Sequence, residues 1–122
     1  MDNTINKFHN SYFKNKVVLA NSKLHFLYDS IDKVTNRGFS YDPEEFLTLS
    51  ELASYLDNLE LFCVLNEDFE RFQVGYVDYA YTLFIEIRSI ILAKGHTSNE
   101  LVDNFEDYAK NFALTIETLD LI

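Results

Sequence analysis

The stretch from Phe69 to Lys94, FERFQVGYVDYAYTLFIEIRSIILAK, constrains the fold of this chain more than any other. No proline interrupts it. Arg71, Gly75, Asp78, Thr82, Glu86, Ser89 and Ala93 follow one another at steps of four, three, four, four, three and four. On a helix of 3.6 residues per turn, that spacing gathers the small and polar residues into one narrow stripe. Other positions, among them Phe72, Tyr76, Tyr79, Leu83, Phe84, Ile87, Ile90 and Ile91, are apolar and need cover from elsewhere. A strand competes for part of the segment, because every odd position from Val77 to Ile87 is apolar. Length decides for a helix: strands usually run 3–10 residues, and nothing in the sequence breaks this stretch.

Scarcity of turn formers extends the argument to the whole chain. Three glycines and one proline in 122 residues leave little material for tight turns, so the elements must be few and long. With 48% hydrophobic residues the chain has the apolar surface for one core, and it reads as a single domain over 1–122. A first helix is expected over about 4–36, with Asn3 or Thr4 as cap. Its stripe is Phe13, Val17, Ala20, Leu24, Leu27, Ile31 and Val34, at alternating steps of four and three. Gly38 suits the left-handed position that ends such a helix.

Asp42-Pro43-Glu44-Glu45 is the sharpest local signal: a capping residue, a proline for the first helical position and a glutamate able to reach back. It opens a second helix over 43–65, with Phe46, Leu49, Leu52, Ala53, Leu56, Leu59 and Cys63 as its buried stripe. Thr48-Leu49-Ser50-Glu51 is a second capping signal, which allows a separate short turn ahead of the main helix. Asn66-Glu67-Asp68 is the expected break before the third helix at 68–94. Thr97-Ser98-Asn99-Glu100 opens a fourth over 98–120, striped by Leu101, Phe105, Tyr108, Phe112, Ile116 and Leu119. The predicted fold is all-α: an antiparallel four-helix bundle around a third helix that is apolar on nearly every side.

Catalytic and metal signatures are sparse. Cys63 is the only cysteine, sits on an apolar stripe and has no basic neighbour to activate it. His9, His25 and His96 have no companions at metal-ligand spacing, and no Glu-x-x-His pair of a di-metal bundle occurs. Neither a phosphate-binding glycine loop nor a nucleophile elbow is present. The expectation is a protein without cofactor or metal. MDNTINKFHNSYFKNK lacks the apolar core of a signal peptide, and no run of 18 apolar residues occurs, so a soluble, cytoplasmic protein is expected.

Charge is distributed unevenly. Residues 1–36 hold five lysines against three aspartates, whereas the rest holds five cations against seventeen acids; the whole carries −10. From Gly38 to Glu70 there are nine acids and no Lys or Arg. Surface helices usually intersperse signs and gain pairs four residues apart; this segment forgoes them. Such a field repels nucleic acid and membrane headgroups and steers basic proteins toward it. Tyrosines lie among the acids at Tyr41, Tyr55 and Tyr108, a residue type enriched at interface hot spots. The candidate binding residues are Tyr41, Glu44, Glu45, Tyr55, Asp57, Glu60, Glu67, Asp68 and Glu70.

Two resemblances follow. Tyr81 to His96, YTLFIEIRSIILAKGH, resembles the third-helix end of HEPN ribonucleases, small aromatic-rich bundles with an Arg followed after four to six residues by a His. Here seven residues separate Arg88 from His96, and neither Asn nor His follows the Arg. That resemblance implies RNA cleavage; the plainer expectation is a surface cation at Arg88 and a loop histidine at His96. In size, acidity and Tyr-rich helices the chain resembles small immunity proteins of colicin and contact-dependent inhibition systems. This likeness implies a non-catalytic inhibitor, monomeric or homodimeric, that blocks a basic nuclease toxin. A phage-encoded nucleic-acid mimic directed at a restriction or CRISPR protein shares the same physics. Aromatics outside the stripes, such as Phe62 and Tyr81, also suit a homodimeric scaffold.

Overall fold

The computed structural model describes residues 3–121, with side chains from residue 7 onward. Four helical rods make up nearly all of it, and no strand occurs among the described residues. α1 is Asn3–Arg37 and α2 is Pro43–Leu65. The third rod, α3, joins a 3-10 turn Glu67–Phe69, a helical turn Glu70–Phe72, a π turn Gln73–Val77 and a regular helix Asp78–Leu92. α4 is Asn99–Asp120. The segment with strand-like alternation is therefore helical throughout.

The turns show why so few glycines suffice. Gly38 takes the left-handed conformation, φ 69°, that ends α1. At the α2–α3 corner the backbone of Asn66 is extended, and its N–H and side-chain amide both donate to the Phe62 carbonyl, at 3.0 and 2.9 Å. A polar side chain thus closes a corner that has neither glycine nor proline. After α3 the left-handed residue is Lys94, φ 53°, while the Gly95 N–H returns to the Ile90 carbonyl at 2.8 Å. Ser98, one residue later than expected, caps α4 by accepting the Leu101 N–H at 3.1 Å. The Thr97 N–H instead donates to Thr35 Oγ1 and ties this loop to the end of α1. The signal at Thr48-Glu51 starts nothing; α2 runs through it with Thr48 buried. The side chains of Asn3 and Thr4, the candidate caps of α1, lie outside the described residues.

Residue contacts fix how the rods lie. Phe13 meets Phe62 while Lys23 meets Glu51, so α1 and α2 run in opposite directions. Tyr81 with Asp57 and Phe69 with Phe62 do the same for α2 and α3. Tyr76 with Tyr108 and Glu86 with Asn104 reverse α3 against α4. The whole α1 stripe is buried, as are Leu49, Leu52, Leu56, Leu59 and Cys63 of α2. Phe46 is exposed, because the three-residue step back from Leu49 falls about 60° short of a full turn.

α3 departs from the expectation that the apolar positions outside its narrow polar stripe all find cover. Val74, Tyr79, Ile85 and Leu92 face solvent. Its buried residues Phe69, Phe72, Tyr76, Ala80, Leu83, Ile87 and Ile91 follow at steps of three and four, and Val77 and Phe84 widen that face. The π turn at Gln73–Val77 lies within this face, and Tyr76 and Val77, neighbours in sequence, are both buried there. Beneath it, the Tyr76 and Tyr108 hydroxyls lie 2.9 Å apart and Tyr108 donates to Asn21 Oδ1 at 3.0 Å. Buried phenols need such partners.

Candidate functional site

On α2 the buried stripe divides two flanks. One carries Asp57, Glu60 and Val64 and faces α3; the other carries Tyr55, Asn58 and Phe62 and faces α1. The α3-facing flank opens into two adjoining recesses of about 330 and 420 Å³. The first is lined by Cys63, Val64, Glu67, Glu70 and Gln73, the second by Glu60, Gln73, Asp78, Tyr81, Thr82 and Ile85. Gln73 belongs to both, so together they form one groove.

Local chemistry positions the walls. Gln73 lies in the π turn and donates its amide to Asp78 Oδ1 at 2.8 Å across that turn. The Tyr81 phenol donates to the Asp57 carboxylate. Burial first, then that bond and the charges of Asp57 and Glu60, push the Tyr81 phenol above its ordinary value. It therefore stays a hydrogen-bond donor over the physiological range. Burial, followed by the charges of Asp78 and Glu60, pushes the Cys63 thiol up to about 11. A thiol pushed up in this way is less nucleophilic at neutral pH than an ordinary cysteine.

Neutralising cations are missing from the groove. Two ion pairs occur among the described residues, Lys14 with Asp120 and Lys23 with Glu51 at 3.6 Å, and both lie elsewhere. Asp57, Glu60, Glu67, Glu70 and Asp78 have no cationic partner within the described residues. Arg71, between them in sequence, rests its guanidinium over the Phe72 ring at 4.9 Å. Uncompensated carboxylates beside Val64, Ile85 and Tyr81 can take Lys and Arg side chains, heads on the acids and stems on the apolar wall.

The nine candidate binding residues do not form one surface. Glu60, Glu67 and Glu70 line the groove, Asp57 sits at its edge through Tyr81, and Asp68 is exposed in the 3-10 turn beside it. Glu44 is exposed in the first turn of α2, about 30 Å away by helix length. Glu45 leaves the surface altogether: it is 8% exposed, and its carboxylate accepts the Asp42 N–H at 3.0 Å. The Tyr41 hydroxyl donates to the Gly95 carbonyl at 2.8 Å and pins the α3–α4 loop. Tyr55 lies on the α1 side, under Lys16 at 5.5 Å from its ring centre. Tyr108 is in the core. Asp78, Gln73 and above all Tyr81 join the groove without having been expected there. Tyr81 did stand out in the sequence, as an aromatic off the main stripes.

No protein-family model, curated protein or solved structure matches this chain. Arg88 is exposed, with its guanidinium over its own Phe84 ring at 5.4 Å. His96 is exposed in the loop before α4, beside Lys94, Tyr41 and Phe39. His9 packs edge-on against Phe62, and His25 edge-on against Phe105. Among the described residues no group of three metal-ligating side chains converges, and no helix is long and apolar enough to cross a membrane.

Proposed function

We propose that the protein is a stoichiometric inhibitor of immunity type, acting from the cytoplasm by occluding the cleft of a basic nuclease toxin. One observation carries the reading: the α2–α3 groove concentrates Glu60, Glu67, Glu70 and Asp78, with Asp57 at its edge, and none has a cationic partner among the described residues. A nuclease must hold a phosphate backbone, so its cleft is lined by Lys and Arg. An acidic groove with an apolar wall competes for those side chains, and blocking the cleft needs no chemistry of its own. Opposite fields also speed the encounter, which favours an inhibitor that must act before its target does damage.

The test is growth rescue. A basic nuclease toxin domain encoded in the same genome is expressed alone, with this chain, and with an Asp57→Lys/Glu60→Lys/Glu67→Lys variant. Rescue by the wild type, lost in the variant, supports the inhibitor. Undiminished rescue by the variant, or a purified partner that is acidic, overturns it. RNA cleavage by the isolated chain, abolished by Arg88→Ala, would instead support an enzyme.

A further inference from the structure

Where the α1–α2 and α3–α4 loops meet, Phe39, Ser40, Tyr41, Lys94 and His96 enclose a recess of about 350 Å³ over Val34. A lysine and a histidine line it and no carboxylate does, whereas each recess of the α2–α3 groove holds two acids. Lys94 and His96 are both exposed, and among the described residues neither pairs with an acid. Glu45, whose charge reaches the Tyr41 phenol, is buried, and its carboxylate accepts the Asp42 N–H.

The backbone holds Lys94 at this place under strain. It is the left-handed residue that ends α3, φ 53°, with its N–H on the Ile91 carbonyl at 3.0 Å and the Gly95 N–H on that of Ile90 at 2.8 Å. Glycine is favoured there because a Cβ crowds the backbone, and Gly38 fills the matching position at the end of α1. In α3 the glycine comes one residue later, so a lysine takes the strained position. Residues kept in such conformations gather at ligand clamps and active sites. The loop is also fixed in advance. Tyr41 donates to the Gly95 carbonyl at 2.8 Å, and the Thr97 N–H donates to Thr35 Oγ1 at 2.9 Å.

We propose that this recess binds a small aromatic anion, a carboxylate or phosphate carried on a single ring. The Lys94 ammonium, the Ser40 hydroxyl and an imidazole N–H of His96 are the donors for the anionic head. Phe39, 54% exposed, and Tyr41 take the ring. The volume lies at the low end for ligand pockets, which suits one ring rather than an extended molecule. The recess is at the opposite end of α2 from the acidic groove, so the site stands apart from the inhibitor reading.

Amide NMR of the full chain, titrated with phenyl phosphate and with benzoate, tests the proposal. Saturable shifts at Phe39, Tyr41, Gly95 and His96 are expected with at least one probe, weakened about tenfold in Lys94→Gly. The same variant should melt at or above the wild-type temperature, because glycine relieves the left-handed strain. Inorganic phosphate, which has no ring, should bind more weakly than phenyl phosphate. Absence of saturable shifts at those amides with both probes overturns the proposal. So does undiminished binding to Lys94→Gly, or inorganic phosphate that binds as tightly as phenyl phosphate. A lower melting temperature in Lys94→Gly would assign the lysine to the fold and overturn the proposal as well.

Discussion

The two flanks of α2 are built on one helix and present opposite chemistry. Toward α3, Asp57 and Glu60 border a groove of unpaired carboxylates; toward α1, Leu61, Phe62 and Leu65 border an apolar recess. Neighbouring residues in sequence, Glu60 and Leu61, fall on different flanks because each step turns the chain about 100°. Between the flanks, Leu52, Leu56, Leu59 and Cys63 anchor the helix in the core and hold both surfaces in fixed relation. One helix therefore presents two surfaces, one acidic and one apolar.

Substitutions on the two flanks should differ in effect. The Asp57→Lys/Glu60→Lys/Glu67→Lys variant should lose about 100-fold in affinity for a basic nuclease domain, measured by calorimetry. Leu61→Glu/Leu65→Glu, on the apolar flank, should leave that affinity unchanged. If both variants weaken it alike, the flanks are not separate.

A lesion in the shared core should instead act through stability. Tyr108→Phe removes the hydroxyl that joins Tyr76 to Asn21, leaving buried polar groups short of a partner. The cost should be about 1–3 kcal/mol in urea unfolding. Groove binding should persist below the new midpoint and vanish above it.

Salt tests the acidic flank by a smaller margin. Raising ionic strength from low to physiological should weaken groove binding about tenfold, mainly through the association rate. Insensitivity to salt would assign that binding to apolar contact rather than charge.

The smallest expected effect comes from Glu86, which lies on neither flank. Burial first, then the charge of Glu100, raise its carboxyl above the ordinary 4.5, and the Asn104 amide opposes them. The folded chain thus holds this proton more tightly than the unfolded chain does. That stabilisation is fully present below the unfolded value and is lost as pH rises through the folded one. Glu86→Gln should remove the loss and modestly raise the melting temperature at pH 7. Groove binding should not move; a change would tie the α3–α4 edge to the groove.

Much of this architecture was legible from residue order. Phe13 to Val34 gave the buried face of α1 without error, because a long unbroken 3.6-residue period admits one phase. Asp42 to Glu45 marked the start of α2, because capping involves groups within one turn. The same locality misled at Glu45, whose charge was counted toward a surface it does not reach. It also left the π turn unseen, because the apolar steps from Phe69 to Ile91 run through it without a break. Of the candidate surface, the acids at 57, 60, 67 and 70 were apparent as an unbalanced run; Asp78 and Tyr81 were not, because they lie beyond Arg71, where that run ends.

By itself the sequence determined four helices, most of their core stripes and an excess of negative charge near the middle of the chain. These rest on period, end chemistry and composition, all of them properties of neighbouring residues. Only tertiary structure decided that Tyr81 closes on Asp57, that Tyr108 is buried rather than displayed, and that the acids split from the leucines across α2. Which side of a helix becomes a groove depends on which rod lies beside it. That depends on packing between residues far apart in the chain, to which no single period refers.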